Sequence, residues 1–138
     1  MNLTIDSYAW IEVIRDSSMG EVVRSEIEKA SDCFTCSISL AEVASFGLRH
    51  GMTNTIILSG IHRISEASAI VEIDANMAVE GASATDELRR LAKKRCTPLP
   101  GLSDGLILAT ARRTNSKLLT GDAHFRGLPE TLWLDGAI

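Results

Sequence analysis

Residues 103–122 read SDGLILATARRTNSKLLTGD, a helical pattern followed by a short strand and an acid. Serine is a common helix-capping residue, so we predict a helix over 103–114 with Ser103 at its N-cap. The run KLLT at 117–120 predicts a strand, and Asp122 follows it across a single glycine. A surface aspartate after a turn glycine is commonplace, so Asp122 becomes informative only if other carboxylates occupy similar places.

The rest of the chain alternates between strand-like and helix-like segments in the same way. Such alternation implies an α/β fold, with a parallel sheet of about four to five strands covered on both faces. Ligands of open sheets of this kind bind beyond the carboxyl ends of the strands. Strands are expected at about 2–5, 33–37, 69–73, 117–120 and 131–134, and helices at about 7–16, 18–30, 38–50, 53–64, 76–95 and 103–114.

The composition is that of an ordinary globular protein. The chain has 138 residues, of which 45% are hydrophobic and 23% charged, and these values argue against disorder. A chain of this length can bury one continuous core, so we expect a single domain over residues 1–138. No apolar run approaches the roughly 18 residues that cross a bilayer, and no secretory signal is recognisable. We therefore expect a cytoplasmic protein without a membrane partner.

The cysteines do not indicate a disulfide framework or a metal site. Cys33, Cys36 and Cys96 are odd in number, which argues against paired bridges. Cys33 and Cys36 form a C-x-x-C, but alternation along a strand points their sulfurs to opposite faces, which is poor geometry for a shared metal. We interpret these two as core thiols in a reducing compartment.

The net charge of −4 counts against a nucleic-acid ligand, but the basic residues are unevenly distributed. Eight of the 14 lie within one stretch, and they fit either two solvated helix faces or a basic rim beside an acidic site. They are Arg89, Arg90, Lys93, Lys94, Arg95, Arg112, Arg113 and Lys117.

Three aspartates are expected at the carboxyl edge of the sheet. Asp6 follows the first strand directly, and Asp122 follows the fourth. Asp104 lies in the first turn of its helix, after a loop that returns to the same edge. Asp74 ends the third strand and is expected to cap the long helix rather than to join them.

Glu42 is the most unusual acid, because it stands within an apolar stripe. On the predicted helix over 38–50, its neighbours four residues away are Ile38 and Phe46, and Val43 is adjacent. A carboxylate in such a stripe is not typical of a solvated face. The alternative is a glutamate at the edge of the stripe that reaches water.

Several carboxylates in one cleft require compensation. Two unit charges about 4 Å apart repel by roughly 4 kcal/mol at an effective dielectric near 20, so the acids either bind a cation or take up protons. Oxygen ligands favour Mg²⁺ or Mn²⁺ over zinc. His50, His62 and His124 show no zinc spacing; His124 could lie near the site, although a loop role is the simpler interpretation. Carboxylate-bound Mg²⁺ suits phosphodiester hydrolysis.

The ordered motifs resemble a known family. IDSYAWIE at 5–12, SISLAEV at 37–43 and LSDGLILATARRTNSKLLTGDAHF at 102–125 resemble the PIN-domain family, and most closely the toxin ribonucleases of VapC-type toxin–antitoxin pairs. Each motif alone is weak, but the ordered set spans essentially the whole chain. The resemblance implies a three-layer α/β/α sandwich and a Mg²⁺-dependent or Mn²⁺-dependent endoribonuclease that cuts RNA.

Carried over by residue, the resemblance implies that Asp6, Glu42, Asp104 and Asp122 are the catalytic and metal-binding acids. Thr120 matches the small polar residue that lines the site. Some relatives carry a further acid where this chain has Ala123 and His124, which leaves a second metal open.

The resemblance also implies partners: a second copy of the chain, and an antitoxin whose C-terminal segment lies in a hydrophobic groove and reaches the acidic site. The predicted first and fourth helices carry more apolar residues than one small sheet requires, so these residues either pack in the core or line such a groove. They are Trp10, Ile11, Val13, Ile14, Ile56, Ile57, Leu58 and Ile61.

Two other function classes remain as alternatives. A non-catalytic PIN-fold module would bind RNA or protein without cleavage, and loss of one acid would have supported it. A phospho-acceptor receiver domain needs an acidic pair after the first strand, whereas Asp6 is followed by Ser7. The RNA target is open, because specificity depends on surface shape and loops rather than on the acids.

Overall fold

The computed structural model describes residues 1–135, which form a five-stranded sheet with helices on both faces. The last three residues of the expected domain over 1–138 lie outside the described part. In chain order the elements are β1 (Leu3–Ile5), α1 (Ser7–Ile14), α2 (Ser18–Lys29), β2 (Cys33–Cys36), α3 (Ser37–Arg49), α4 (Asn54–Ala67), β3 (Ala69–Val71), α5 (Ala75–Arg95), α6 (Leu102–Arg113), β4 (Lys117–Thr120), a 3₁₀ turn (Ala123–Phe125) and β5 (Thr131–Trp133).

All strand pairs are parallel, as the alternation of strands and helices predicts. The order is β3-β2-β1-β4-β5, so the chain builds outward from β1 to β3 and then crosses to the other side of β1. This reversal lies between the carboxyl ends of β1 and β4. Open parallel sheets bind ligands at such a position.

The two faces of the sheet bury separate hydrophobic clusters. Leu118 and Leu119 are neighbours on β4 and therefore point to opposite faces; both are fully buried. Leu118 packs in the cluster formed with α5 and α6, whereas Leu119 packs in the cluster formed with α1 to α4. Full burial of such a side chain contributes about 1.5–3 kcal/mol. The result is the three-layer α/β/α arrangement.

Helix caps explain where the predicted boundaries were right and wrong. Asp74 caps α5, accepting a hydrogen bond from Met77 N at 2.8 Å, as predicted. Ser103 is not the N-cap of α6: the helix begins one residue earlier, with Gly101 at the N-cap. Its backbone N–H donates to Asp104 Oδ2 at 3.0 Å, so the acid in the first turn does the capping.

The cysteines lie as the strand pattern predicts. Cys36 is buried against α5 and α6, and half-buried Cys33 packs on the opposite face of the sheet. Burial raises the pKa of the Cys33 thiol, which keeps it protonated and unreactive. Cys96 is exposed at the end of α5. None of the helices between residues 1 and 135 is both long and apolar enough to cross a membrane.

Candidate active site

Asp6 is buried at the point where the sheet reverses direction. It follows β1 directly and is only 2% exposed. Its backbone N–H donates to Leu119 O at 3.2 Å, which fixes it to the neighbouring strand. Its Oδ2 accepts a hydrogen bond from Thr120 Oγ1 at 2.6 Å. A carboxylate that is so completely removed from water requires compensation for the lost hydration.

Interactions within the protein only partly offset the lost hydration of the Asp6 carboxylate. Burial raises the pKa of Asp6 from 3.8 to about 7; the Thr120 hydrogen bond opposes this rise, and the charges of Asp122, Glu42 and Asp104 reinforce it. At neutral pH a substantial fraction of Asp6 is therefore protonated unless a cation is present.

Glu42 faces the same cluster from α3, although its helix neighbours are apolar. Ser7 Oγ lies 3.0 Å from Glu42 Oε1 and 3.3 Å from Asp6 Oδ1. Because the hydroxyl has one proton, it donates to one carboxylate at a time. Burial raises the pKa of Glu42, and hydrogen bonds from Ser7 and Ser103 act in the opposite direction. Ser7 thus links the glutamate to Asp6.

Asp104 and Asp122 complete the group from α6 and from the end of β4. The Asp104 side chain is 14% exposed, and burial raises its pKa. Asp122 Oδ1 accepts a hydrogen bond from His124 N at 2.9 Å, which caps the 3₁₀ turn. The Asp122 N–H donates to Thr120 Oγ1 at 3.0 Å. The Thr120 hydroxyl therefore joins two of the acids, accepting from one backbone and donating to the other carboxylate.

Gly121 explains how β4 leads into Asp122. A Cβ at this position would lie 2.5 Å from Cε1 of the Tyr8 ring, which is closer than carbon atoms approach without strain. Glycine therefore permits Tyr8 to cover the strand end. Tyr8 is itself 37% exposed beside the acids.

His124 is the functional candidate that the sequence analysis left aside as a loop residue. Its Nδ1 lies 3.2 Å from Asp122 Oδ1 and 3.5 Å from Asp104 Oδ2. One ligand atom from each of these residues falls within 4.8 Å of the others. The available sequence signal was its position two residues after an acid, which a 3₁₀ turn brings back toward that acid.

The PIN domain family model matches residues 3–130. The chain belongs to the PIN-domain family. Solved structures agree on the fold: a toxin–antitoxin complex from Klebsiella pneumoniae (TM-score 0.67, 18% identity, 96% of this chain and 98% of that one) and VapBC-1 from nontypeable Haemophilus influenzae (0.70, 15%, 98% of both chains). VapC20 from Mycobacterium tuberculosis, a sarcin-ricin loop cleaving toxin, has a TM-score of 0.67 at 15% identity over 89% of this chain and 92% of that one. No curated protein matches the chain significantly.

Three residues of the predicted basic rim lie away from the acids of this PIN domain. Arg112 and Arg113 end α6, whereas the acids surround its beginning, and Lys117 pairs in register with Leu3 at the amino edge of the sheet. Arg112 binds Glu87 and Glu130 at 2.7 Å each. Arg112 and Arg113 therefore fit the interpretation as a solvated helix face, whereas Lys117 is an exposed strand residue.

Arg95 and Arg126 are basic residues next to the 3₁₀ turn that carries His124. Arg95 lines a small pocket together with His124. Its Nη1 donates to Arg126 O at 2.8 Å, and the Arg126 guanidinium lies 5.2 Å from the centre of the Trp133 ring. Arg126 lies outside the basic stretch of residues 89–117, so its place in the sequence does not indicate a role.

The donor set of the PIN domain fits a divalent cation. Asp6, Glu42, Asp104 and Asp122 offer carboxylate oxygens, which hard cations prefer. Within residues 1–135 none of the four forms an ion pair with a lysine or arginine, and the only basic partner is His124. The cluster therefore has negative charge that an ion could neutralise.

Proposed function

We propose that this PIN domain is a divalent-metal-dependent endoribonuclease that hydrolyses RNA phosphodiester bonds, with Mg²⁺ as the ion and Mn²⁺ able to replace it. The observation that carries the proposal is the grouping of acids at the reversal of the sheet: ligand atoms of Asp104 and Asp122 lie within 4.8 Å of each other, and Asp6 is close enough to feel the charges of Asp122, Glu42 and Asp104. Asp6 is buried and has a pKa raised to about 7. Such a group without a cationic side chain is costly unless a cation binds.

Asp6, Asp104 and Asp122 would hold the ion, with Glu42 facing the same cluster. A bound divalent cation supplies Lewis acidity, which lowers the pKa of water and neutralises charge on the phosphoryl oxygens. The raised pKa of Glu42 makes it a stronger base than an ordinary glutamate, which suits a group that orients the attacking water and accepts its proton. Thr120 keeps the Asp6 carboxylate in place through its 2.6 Å hydrogen bond.

Arg95 and Arg126 supply positive charge next to the 3₁₀ turn that follows Asp122. A phosphodiester backbone needs such neutralisation next to an acidic site. Guanidinium groups also bind phosphate oxygens in a planar, two-pronged geometry. We assign these two residues to RNA binding rather than to chemistry.

The decisive experiment is incubation of the pure protein with total RNA and Mn²⁺ or Mg²⁺, followed by mapping of new RNA ends. Asp6→Asn and Asp104→Asn should abolish cleavage without unfolding the protein, and chelator should do the same to the wild type. Asp86→Asn is the matched control, because Asp86 is exposed and, in the described part of the chain, pairs only with Arg90. Full activity of Asp6→Asn would contradict the assignment, and RNA binding without cleavage would favour the non-catalytic alternative.

We also propose that the protein is the toxin of a toxin–antitoxin pair and acts in the cytoplasm. The solved structures similar in fold include toxin–antitoxin complexes. In addition, α1 to α4 border an apolar groove of about 810 Å³, with buried Trp10 at its base. Ile56 also lines it and is 59% exposed. An exposed apolar surface of this kind is typical of an interaction site.

The proposed occupant of this groove is the C-terminal segment of a small cognate antitoxin, encoded by a gene adjacent to that of this protein. A basic side chain of that segment would pair with Asp6 and Asp104 and compete with the metal ion. Inhibition should therefore weaken as salt rises.

We propose a homodimer as the state of the free protein. Leu58 on α4 is 53% exposed, and a second copy would cover a side chain of this kind. Light scattering at tens of micromolar protein tests this, and a monomer at that concentration would contradict it.

A further inference from the structure

His124 presents a ring nitrogen to the acidic cluster without using it in a hydrogen bond. Nδ1 is buried and has no hydrogen-bond partner among residues 1–135, although Asp122 Oδ1 lies only 3.2 Å away. The direction of the nitrogen therefore misses that oxygen and also Asp104 Oδ2, at 3.5 Å. A buried nitrogen left in this way is costly unless it has another partner.

The backbone, rather than a bond at Nδ1, fixes the position of His124. The His124 N–H donates to Asp122 Oδ1 at 2.9 Å, and Phe125 N donates to Asp122 O at 3.0 Å. The Phe125 side chain is fully buried, and its carbonyl accepts a hydrogen bond from Thr131 Oγ1 at 2.6 Å. The 3₁₀ turn is thus anchored on both sides of His124, which places this residue beside the two carboxylates.

The separations between the donors suit shared coordination of one ion. Octahedral bonds of about 2.1 Å at right angles place neighbouring donor atoms about 3.0 Å apart. Nδ1 lies 3.2 and 3.5 Å from its two carboxylate neighbours. Shifts of a few tenths of an ångström would bring these atoms to coordination distances.

We infer that His124 is a metal ligand through Nδ1 and binds, with Asp104 and Asp122, a first-row transition-metal ion in preference to Mg²⁺. Imidazole nitrogen suits such ions, whereas Mg²⁺ favours an all-oxygen set. The inference rests on the proposed function, because it adds one ligand to the proposed metal site. It predicts that this site binds Mn²⁺ more tightly than Mg²⁺.

Pulsed electron paramagnetic resonance of bound Mn²⁺ gives a direct test, because it detects a coordinated nitrogen without any enzyme assay. Wild-type protein should show imidazole nitrogen coupling. His124→Ala should lose the coupling and bind Mn²⁺ about tenfold or more weakly. His62→Ala is the matched control, since His62 is exposed on α4, and it should behave as the wild type.

His124→Asp keeps a ligand at this position but replaces the nitrogen donor atom with a carboxylate oxygen. It should bind Mn²⁺ without nitrogen coupling, and its affinity ratio of Mn²⁺ to Mg²⁺, measured by calorimetric competition, should fall below that of the wild type. This variant keeps the test informative if His124→Ala folds poorly.

The outcomes separate this inference from the proposed nuclease function. Bound Mn²⁺ without nitrogen coupling in a wild-type protein that cleaves RNA would overturn only the role of His124. Nitrogen coupling in a protein that cleaves no RNA would support His124 as a ligand and contradict the nuclease. A wild-type protein that binds no Mn²⁺ would overturn both.

Discussion

At the scale of single residues, Asp6 shows a conflict between stability and the proposed function. Its burial is imposed by its position between β1 and α1, and burial raises its pKa to about 7. In the metal-free protein an ionised Asp6 therefore opposes folding. The rise in the pKa of Asp6 from 3.8 to about 7 corresponds to about 4 kcal/mol of folding free energy when the group is ionised.

The first prediction is that Asp6→Asn stabilises the metal-free protein at pH 8. Because the pKa of Asp6 is raised in the folded state, the wild type should lose stability as pH rises from about 4 through 7, and the variant should lose less. Urea unfolding with chelator at pH 4 and pH 8 measures this; the gain at pH 8 should reach up to about 4 kcal/mol. Equal stability at pH 8 would show that Asp6 is compensated within the protein.

The second prediction concerns the Thr120 hydroxyl, which contacts both Asp6 Oδ2 and Asp122 N. Thr120→Val removes these bonds with little change in volume, so metal affinity and RNA cleavage should each fall about 10- to 100-fold. Thr120→Ser retains the hydroxyl and should keep most of both. Calorimetry with Mn²⁺ and an RNA cleavage assay would test this, and equal behaviour of the two variants would exclude a supporting role.

At the scale of elements, the alternation of strands and helices was readable because each has its own apolar period and its own caps. Asp74 caps α5 as predicted. The order of the strands was not readable, since the pairing of β1 with β4 joins segments more than a hundred residues apart. The start of α6 was misplaced because Asp104 caps Gly101 from inside the helix.

The candidate site likewise contains residues that the sequence predicts and residues that it does not. The four acids were predicted because each stands at a strand end, a helix start or within an apolar stripe. His124 was not, because its approach to Asp104 depends on how a 3₁₀ turn packs against α6. Arg112 was placed on a possible rim because sequence proximity does not reveal which end of a helix faces a site.

The third prediction compares one substitution at two helical glycines. At Gly105 on α6 an added Cβ would overlap Thr85 Oγ1 and Gly81 O of α5, so Gly105→Ala should destabilise the protein by about 1–3 kcal/mol. At Gly60 on α4 a Cβ meets no atom of residues 1–135 within 4 Å, so Gly60→Ala should stabilise the protein by about 0.5–1 kcal/mol. Thermal and urea unfolding would measure both, and the same sign for both would refute close helix contact as the reason for Gly105.

At the scale of the whole molecule, the acidic edge and the apolar groove are separate surfaces with separate consequences. The acids come from β1, α3, α6 and the end of β4, so an ion held among them would join both layers of helices to the sheet. Binding of such an ion should therefore stabilise the entire fold.

The fourth prediction follows from that link. Mn²⁺ at a hundred times its dissociation constant should stabilise the protein by roughly 2.7 kcal/mol, seen as a rise in melting temperature. Asp122→Ala should reduce the rise, and Asp86→Asn should not. A melting temperature indifferent to millimolar Mn²⁺ would contradict a clustered metal site.

The fifth prediction concerns the groove and its proposed antitoxin. Ile56 lines the groove and is largely exposed, so Ile56→Asp should leave the fold and RNA cleavage intact. It should weaken inhibition by the antitoxin, because a charge there would lose hydration on contact with an apolar segment. Val79→Asp is the matched control on α5, on the opposite face of the sheet. Titration of each variant with the small protein encoded beside the chain, scored by residual RNA cleavage, distinguishes the two positions: equal inhibition of both variants would place the antitoxin elsewhere.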